Sequence, residues 1–307
     1  MGVLTECATA LPHLLEPEYL IGRAHNCTLR IAQRYISAQH ALLRWTGQRW
    51  EVKDLGSRNG TYVDGTRLRA GEGHALRRGA KVAFGKGDHE WELVEDAAPS
   101  VMAVPIKGGD AVVIDGDLLA LPSADDPQVT IYRTSEGTWV LEQLDELITP
   151  ITNLQIFVAG ERSWRFSCPE GFNTTSLAVA ATDLEVRHLQ LAFSVSRDEE
   201  HVHLQMTCGG NAVDMGTRTH NYLLLTLARR RLADVAEGLP DTTCGWVYQE
   251  DLSRDPSMAP PQLNIDVFRI RKQFAAAGVI DAAGIVERRP RTRQLRIGTG
   301  RLSVVTL

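Results

Sequence analysis

The chain has 307 residues, 43% of them hydrophobic and 23% charged, with a net charge of −5; at about 100 to 200 residues per domain this is two or three folded domains, and the mix excludes a disordered or fibrous chain. Its longest apolar runs, such as Leu118 to Leu121 and Leu223 to Leu225, fall far short of the roughly 18 residues that cross a bilayer. Early Glu6, Glu16 and Glu18 with no early Lys or Arg exclude a secretory signal, so no membrane partner is expected and the expected compartment is cytoplasmic.

From Tyr19 to Glu95 short alternating apolar stretches recur (Leu29/Ile31, Leu43/Trp45, Trp50/Val52, Val82/Phe84, Trp91/Leu93) between Gly-rich turns. Many short strands with no helical period predict an all-β sandwich, with its chemistry on the loops. Three loop clusters stand out in order: Gly22-Arg23, Ser37-Ala38-Gln39-His40 and Gly56-Ser57-Arg58-Asn59-Gly60-Thr61. Together they resemble a forkhead-associated (FHA) domain, a phosphothreonine-binding β-sandwich, over residues 1–96. A phosphate monoester offers three acceptor oxygens and nearly two negative charges, which calls for a planar guanidinium and a short hydroxyl donor. The resemblance implies Arg23 and Ser37 for these, and Asn59, whose amide both donates and accepts, for the peptide backbone. It implies His40 as a support behind the serine loop. The family often has a basic residue after the motif serine, where this chain has Ala38; Arg34 and Arg58 are close enough in sequence to supply that charge.

Ala97-Ala98-Pro99-Ser100 reads as a linker. Residues 111–166 again read as strands, inside a β-rich segment over 101–180 that is the acidic part of the chain, with four basic and eleven acidic side chains in 101–182. Two echoes of the first domain appear: Phe84 to Trp91 and Phe157 to Trp164 share a spacing, and Leu43 through Trp50 resembles Ile131 through Trp139. Gly-Arg, Ser-x-x-His and Asn-Gly loops are missing between them. Two readings stay open for this β-rich segment: a degenerate second FHA-like domain without a phosphate site, or a sandwich whose core aromatics coincide in spacing.

Residues 189–307 read as an α+β domain. An antiparallel sheet is expected over 189–216, then a helix over 219–233, a short one over 248–254, and a longer one over 262–277 after Pro260-Pro261. On the last helix Leu263, Val267, Ile270 and Phe274 form the core face, leaving Arg269, Arg271 and Lys272 exposed. A hairpin over 285–297 carries Arg288, Arg289, Arg291, Arg293 and Arg296, and residues 264–307 hold nine basic and three acidic side chains. This order resembles the winged helix-turn-helix output domain of bacterial response regulators, with Ile265 to Lys272 as its recognition helix. The resemblance implies double-stranded DNA as a partner, contacted by Arg269, Arg271, Lys272, Arg288, Arg289, Arg291 and Arg293. The family's terminal Gly-Tyr turn is missing, as is any receiver domain.

Cys7, Cys27, Cys168, Cys208 and Cys244 are widely spaced with no Cys-x-x-Cys pair, which points to reduced thiols. His201 and His203 read as alternate residues of one strand. With no phosphate-cradling Gly-x-x-x-x-Gly-Lys loop and no Gly-x-Ser-x-Gly elbow, neither enzyme activity, metal nor cofactor is expected. The expectation is a transcription regulator that binds a phosphothreonine protein, a Ser/Thr kinase or its substrate, at one end and DNA at the other. Phosphopeptide binding would act by displacing the acidic middle from the basic wing. The alternative is a phosphorylation-dependent adaptor whose winged helix contacts protein and never DNA.

Overall fold

The computed structural model describes residues 1–85, 89–134, 136–143, 147–169, 184–289 and 292–307. They divide into two compact units, Met1–Val101 with Ser167–Pro169, and Met102–Phe166 with Glu170–Leu307.

The first unit holds two sheets. One runs, in spatial order, Pro12–Leu14, Gly2–Glu6, Glu90–Asp96, Lys81–Phe84, Thr61–Val63 and Thr66–Arg67; the other runs Leu29–Arg30, Glu18–Gly22, Ala41–Trp45, Trp50–Asp54 and Gly73–Leu76. Alternate residues of the strands enter one core, as a period of two requires. Leu4, Ile21, Leu43, Trp50, Val52, Val82 and Leu93 are fully buried in it. The indole Nε1 of Trp50 donates to the Ala97 carbonyl at 3.0 Å, so the stretch that reads as a linker begins by satisfying a core tryptophan.

The second unit opens with two four-stranded sheets. Their orders are Val112–Val113, Met102–Pro105, Arg162–Ser167, Ile156–Ala159, and Leu118–Ser123, Asp126–Arg133, Trp139–Gln143, Ile148–Pro150. In both units the first strand of the stretch lies between its second and its last, with the neighbour of the last strand on the far side. The echoed aromatics lie on hairpins in both units, but the registers differ: Trp45 pairs with Trp50 and Arg133 with Trp139, while Trp91 pairs with Val82 and Trp164 with Phe157. The loops differ. Residues 23–40 join Gly22 to Ala41 in the first unit, whereas Ala124 and Asp125 alone join Ser123 to Asp126. The middle, read from sequence as a segment of its own, shares its compact unit with the C-terminal part.

That part holds a sheet in the order Asn211–Thr217, Val202–Cys208, Gln190–Val195, Arg301–Thr306. Its last pair is parallel, with Leu191 opposite Leu302; this strand was not expected, because its partner lies more than a hundred residues earlier. Three helices follow the first three strands: α1 (Asn221–Ala236), α2 (Gln249–Leu252) and α3 (Pro260–Ala276). The prolines at its first positions start α3, and Gly278 at φ +88° stops it. Leu263, Val267, Ile270 and Phe274 are 0–2% exposed, and their core also takes Leu223 and Leu227 of α1. Strands Val247–Tyr248, Gln294–Ile297 and Val286–Arg289 form a last small sheet. No helix of the described residues is long and apolar enough to cross a membrane.

Candidate functional site

In the first unit the loops 23–40 and 55–60 are bound to each other by hydrogen bonds that start from a glycine. A Cβ on Gly22 would lie 2.3 Å from the Ala38 carbonyl oxygen, a contact no side chain tolerates. Glycine there lets the strand end pass close to the serine loop, so that Arg23 N donates to Ser37 O at 2.9 Å and Ala24 N to Ala38 O at 3.0 Å. The Arg23 side chain is exposed, its Nε donating to Ile36 O at 3.3 Å.

His40 is the post behind this loop. It is fully buried, its Nδ1 accepts from Ser37 N at 3.2 Å, and its Nε2 sits 3.1 Å from Gly60 O. That pairing requires the tautomer with the proton on Nε2. Burial holds the imidazole below the usual histidine range, against the opposing influence of Gly60 and Asp54. A neutral histidine thus ties the serine loop to the Asn-Gly turn. Ser37 Oγ accepts from Arg58 N at 3.1 Å, and Asn59 Nδ2 donates to Tyr35 O at 2.7 Å. Arg23, Ser37, Arg58 and Asn59 are therefore on one linked face, with Arg34 exposed on the same loop just ahead of Ser37. Among the described residues none of the three guanidiniums is paired with a carboxylate, which leaves them available to an anion.

Asp54, two residues ahead of the third motif loop, is a residue that the sequence reading gave no role, and the structure supplies one. Its Oδ1 accepts from Gly56 N and Ser57 N, both at 2.9 Å, and its Oδ2 from Ser57 Oγ at 2.6 Å and Thr61 Oγ1 at 2.7 Å. Burial alone would raise the pKa of this carboxyl, but the four hydrogen bonds outweigh it and hold the group below the usual carboxylate range. Ser57 Oγ in turn accepts from Gly60 N at 2.9 Å. The sequence signal was an Asp two residues before a Gly-Ser turn, a common Asx arrangement; its second oxygen is satisfied from Ser57 and, across the loop, from Thr61.

Residues 19–85 match the family model of the FHA domain. They are an FHA domain. FHA domains are phosphopeptide-binding modules, and all three motif loops fall inside the match. The chain is 51% identical over 51 residues to the FHA domain-containing protein FhaB of Mycobacterium tuberculosis strain H37Rv, which takes in 17% of this chain and 33% of that protein. It is 45% identical over 67 residues to FhaB of Mycolicibacterium smegmatis, 22% of this chain and 42% of that protein. The match thus spans about a third to two-fifths of these relatives. Among solved structures, Mycobacterium tuberculosis EmbR in complex with a low-affinity phosphopeptide aligns with 30% of this chain and 23% of its own at 27% identity, with a TM-score of 0.28.

The basic residues of the second unit are placed differently from the sequence expectation. Arg271 is not exposed on α3: its side chain is 3% accessible and bonds Glu142 at 3.0 Å, with a second bond to Val286 O at 2.9 Å. Arg288 is likewise buried, its Nε 3.0 Å from the other Glu142 oxygen and its Nη2 donating to Asn264 at 2.8 Å. The physical reason is that the middle segment brings a counter-charge that a helical wheel cannot show. Glu142, whose burial would raise its pKa, is held below the usual range first by Arg271 and then by Arg288. Arg269 and Lys272 remain half-exposed and face Asp125 at 3.4 Å and Asp115 at 2.7 Å. On the hairpin, Arg289 and Arg296 both stack on the Trp246 ring at 4.6 Å. Arg293 is exposed in the turn. Arg291 lies outside the described residues.

Proposed function

We propose that this chain is a phosphothreonine-dependent signalling protein that binds a phosphorylated partner through Arg23, Ser37 and Asn59, with Arg58 and Arg34 adding charge and His40 holding the loops. The observation that carries this reading is the linked face of unpaired guanidiniums beside Ser37 and Asn59. The source of the phosphothreonine is a Ser/Thr kinase or its substrate, and binding rather than catalysis is the activity of the chain.

We also propose that residues 189–307 are a winged helix that binds double-stranded DNA, making the chain a transcription regulator. Sheet, three helices and a basic hairpin in this order support it, with α3 as the recognition helix. The alternative, an adaptor whose C-terminal domain contacts only protein, draws support from one observation: Arg271 and Arg288 are withdrawn from solvent. A titration of the full chain with a phosphothreonine peptide, its unphosphorylated twin and a phosphoserine twin tests the first reading. Binding of the phosphothreonine peptide alone, lost in Arg23→Ala, is the expected result; equal binding by Arg23→Ala would refute the pocket. Selection of bound fragments from random duplex DNA tests the second, with steep loss of recovery as salt rises expected of a phosphate-contacting protein.

A further inference from the structure

Every basic residue of α3 meets a carboxylate of the same neighbouring sheet. Asp115 precedes strand Leu118–Ser123, Asp125 sits in the turn after it, and Glu142 lies on Trp139–Gln143. They face Lys272, Arg269 and Arg271 respectively, and Glu142 also holds Arg288. Apolar contact accompanies the charges: Phe268 is buried against Leu118 and Ala120, and the Arg271 guanidinium lies over the Tyr132 ring at 5.2 Å from its centre. The match is therefore one of charge, shape and register.

We propose that this acidic sheet is a built-in partner for α3 that occupies the surface a DNA duplex would take, so that α3 engages DNA only after residues 102–166 withdraw. The inference rests on the winged-helix reading above. A recognition helix uses such side chains on phosphates and base edges, and the same cations cannot serve the carboxylates and a duplex at once. The contact is of a kind that can open. Its outer pairs, Lys272 with Asp115 and Arg269 with Asp125, are half-exposed ion pairs, weak and screened by salt. The exposure of these outer pairs favours replacement of the sheet by a more highly charged polyanion.

The test uses the full chain, a mixed-sequence DNA duplex as probe, and fluorescence anisotropy at low and at physiological salt. Two variants are compared with the parent: Asp115→Asn with Asp125→Asn, which changes exposed groups only, and the same pair with Glu142→Gln. Hydrogen exchange across 118–143 and α3 reports whether the contact has opened. The expected result is a several-fold gain in affinity for the double variant and about tenfold or more for the triple, of the size of ordinary two-state coupling, with faster exchange in α3 and the gain reversed by Lys272→Ala. Equal, tight binding by parent and variants would overturn the proposal while leaving DNA binding in place. No binding by any of them, although exchange shows α3 opened, would remove the DNA reading and the proposal with it. No binding with α3 protected throughout would show a fixed structural contact and overturn the proposal as well.

Discussion

In residues 1–101 Arg23, Arg34 and Arg58 stand in solvent on loops cross-tied by His40 and Asp54, whereas in the second unit Arg271 and Arg288 are buried around Glu142. Both regions are built on sheets of similar strand order. The difference lies in what joins the strands. Residues 23–40 and 55–60 are long enough to lie over the strand ends and hold charged side chains away from the core. The turn at Ala124 and Asp125 leaves the strands themselves as the surface offered to a partner, and that partner is α3. Related strand orders thus hold cations in solvent in one case and take up a cationic helix in the other, and loop length decides which.

The largest effect expected from breaking this comparison is at Glu142. Glu142→Ala leaves two guanidiniums buried without their counter-charge, and unfolding of the second unit should lose about 3–5 kcal/mol, the cost of breaking a buried pair from one side. Denaturant unfolding of the full chain would show it; a loss near zero would mean that water reaches the arginines. Next comes Arg23→Ala, where removal of charge-assisted hydrogen bonds of about 1.5–3 kcal/mol predicts a roughly ten- to 150-fold weaker phosphothreonine peptide. Calorimetric titration reads this directly, with no change expected in the unfolding of the second unit.

The smallest effect sharpens the role of His40. Its pKa is lowered in the folded state, so the unfolded chain takes the proton first. Stability from the neutral ring is present above the ordinary histidine value of 6.5 and is lost as pH falls below it. Asp54 is also lowered, from 3.8, and adds a second loss only as pH falls through the carboxylate range. The thermal transition that a phosphothreonine peptide raises at neutral pH identifies the FHA unit. That transition should move down between neutral pH and about pH 5.5, ahead of the loss at Asp54, with His13, which burial also lowers, adding to the shift. A transition unmoved over this interval would contradict a neutral, buried His40.

Much of this was legible in residues. The loops 22–23, 37–40 and 56–61 could be read because each is a short run with the residue types of the FHA motifs, although Gly22 and His40 serve Ala38 and Gly60 elsewhere in the chain. Helix α3 was legible within two residues at each end, since Pro260 and Gly278 are start and stop signals and Leu263, Val267, Ile270 and Phe274 keep a helical spacing. Asp54 was hidden because its second oxygen is completed by Thr61, from across its loop. The strand Arg301–Thr306 was hidden because a parallel pair carries no turn to announce it.

What the sequence by itself determined about this protein is the set of local elements, the FHA motif residues and the separation of acidic from basic stretches. These depend on neighbours a few positions away, where periodicity and turn preference act. Which of those charges meet was decided only by the tertiary structure. A helical wheel assigns Arg271 to the surface because it knows one helix; Glu142 lies 129 residues away along the chain, and only folding brings its carboxylate within 3.0 Å, where the desolvation of each charge is offset by the other.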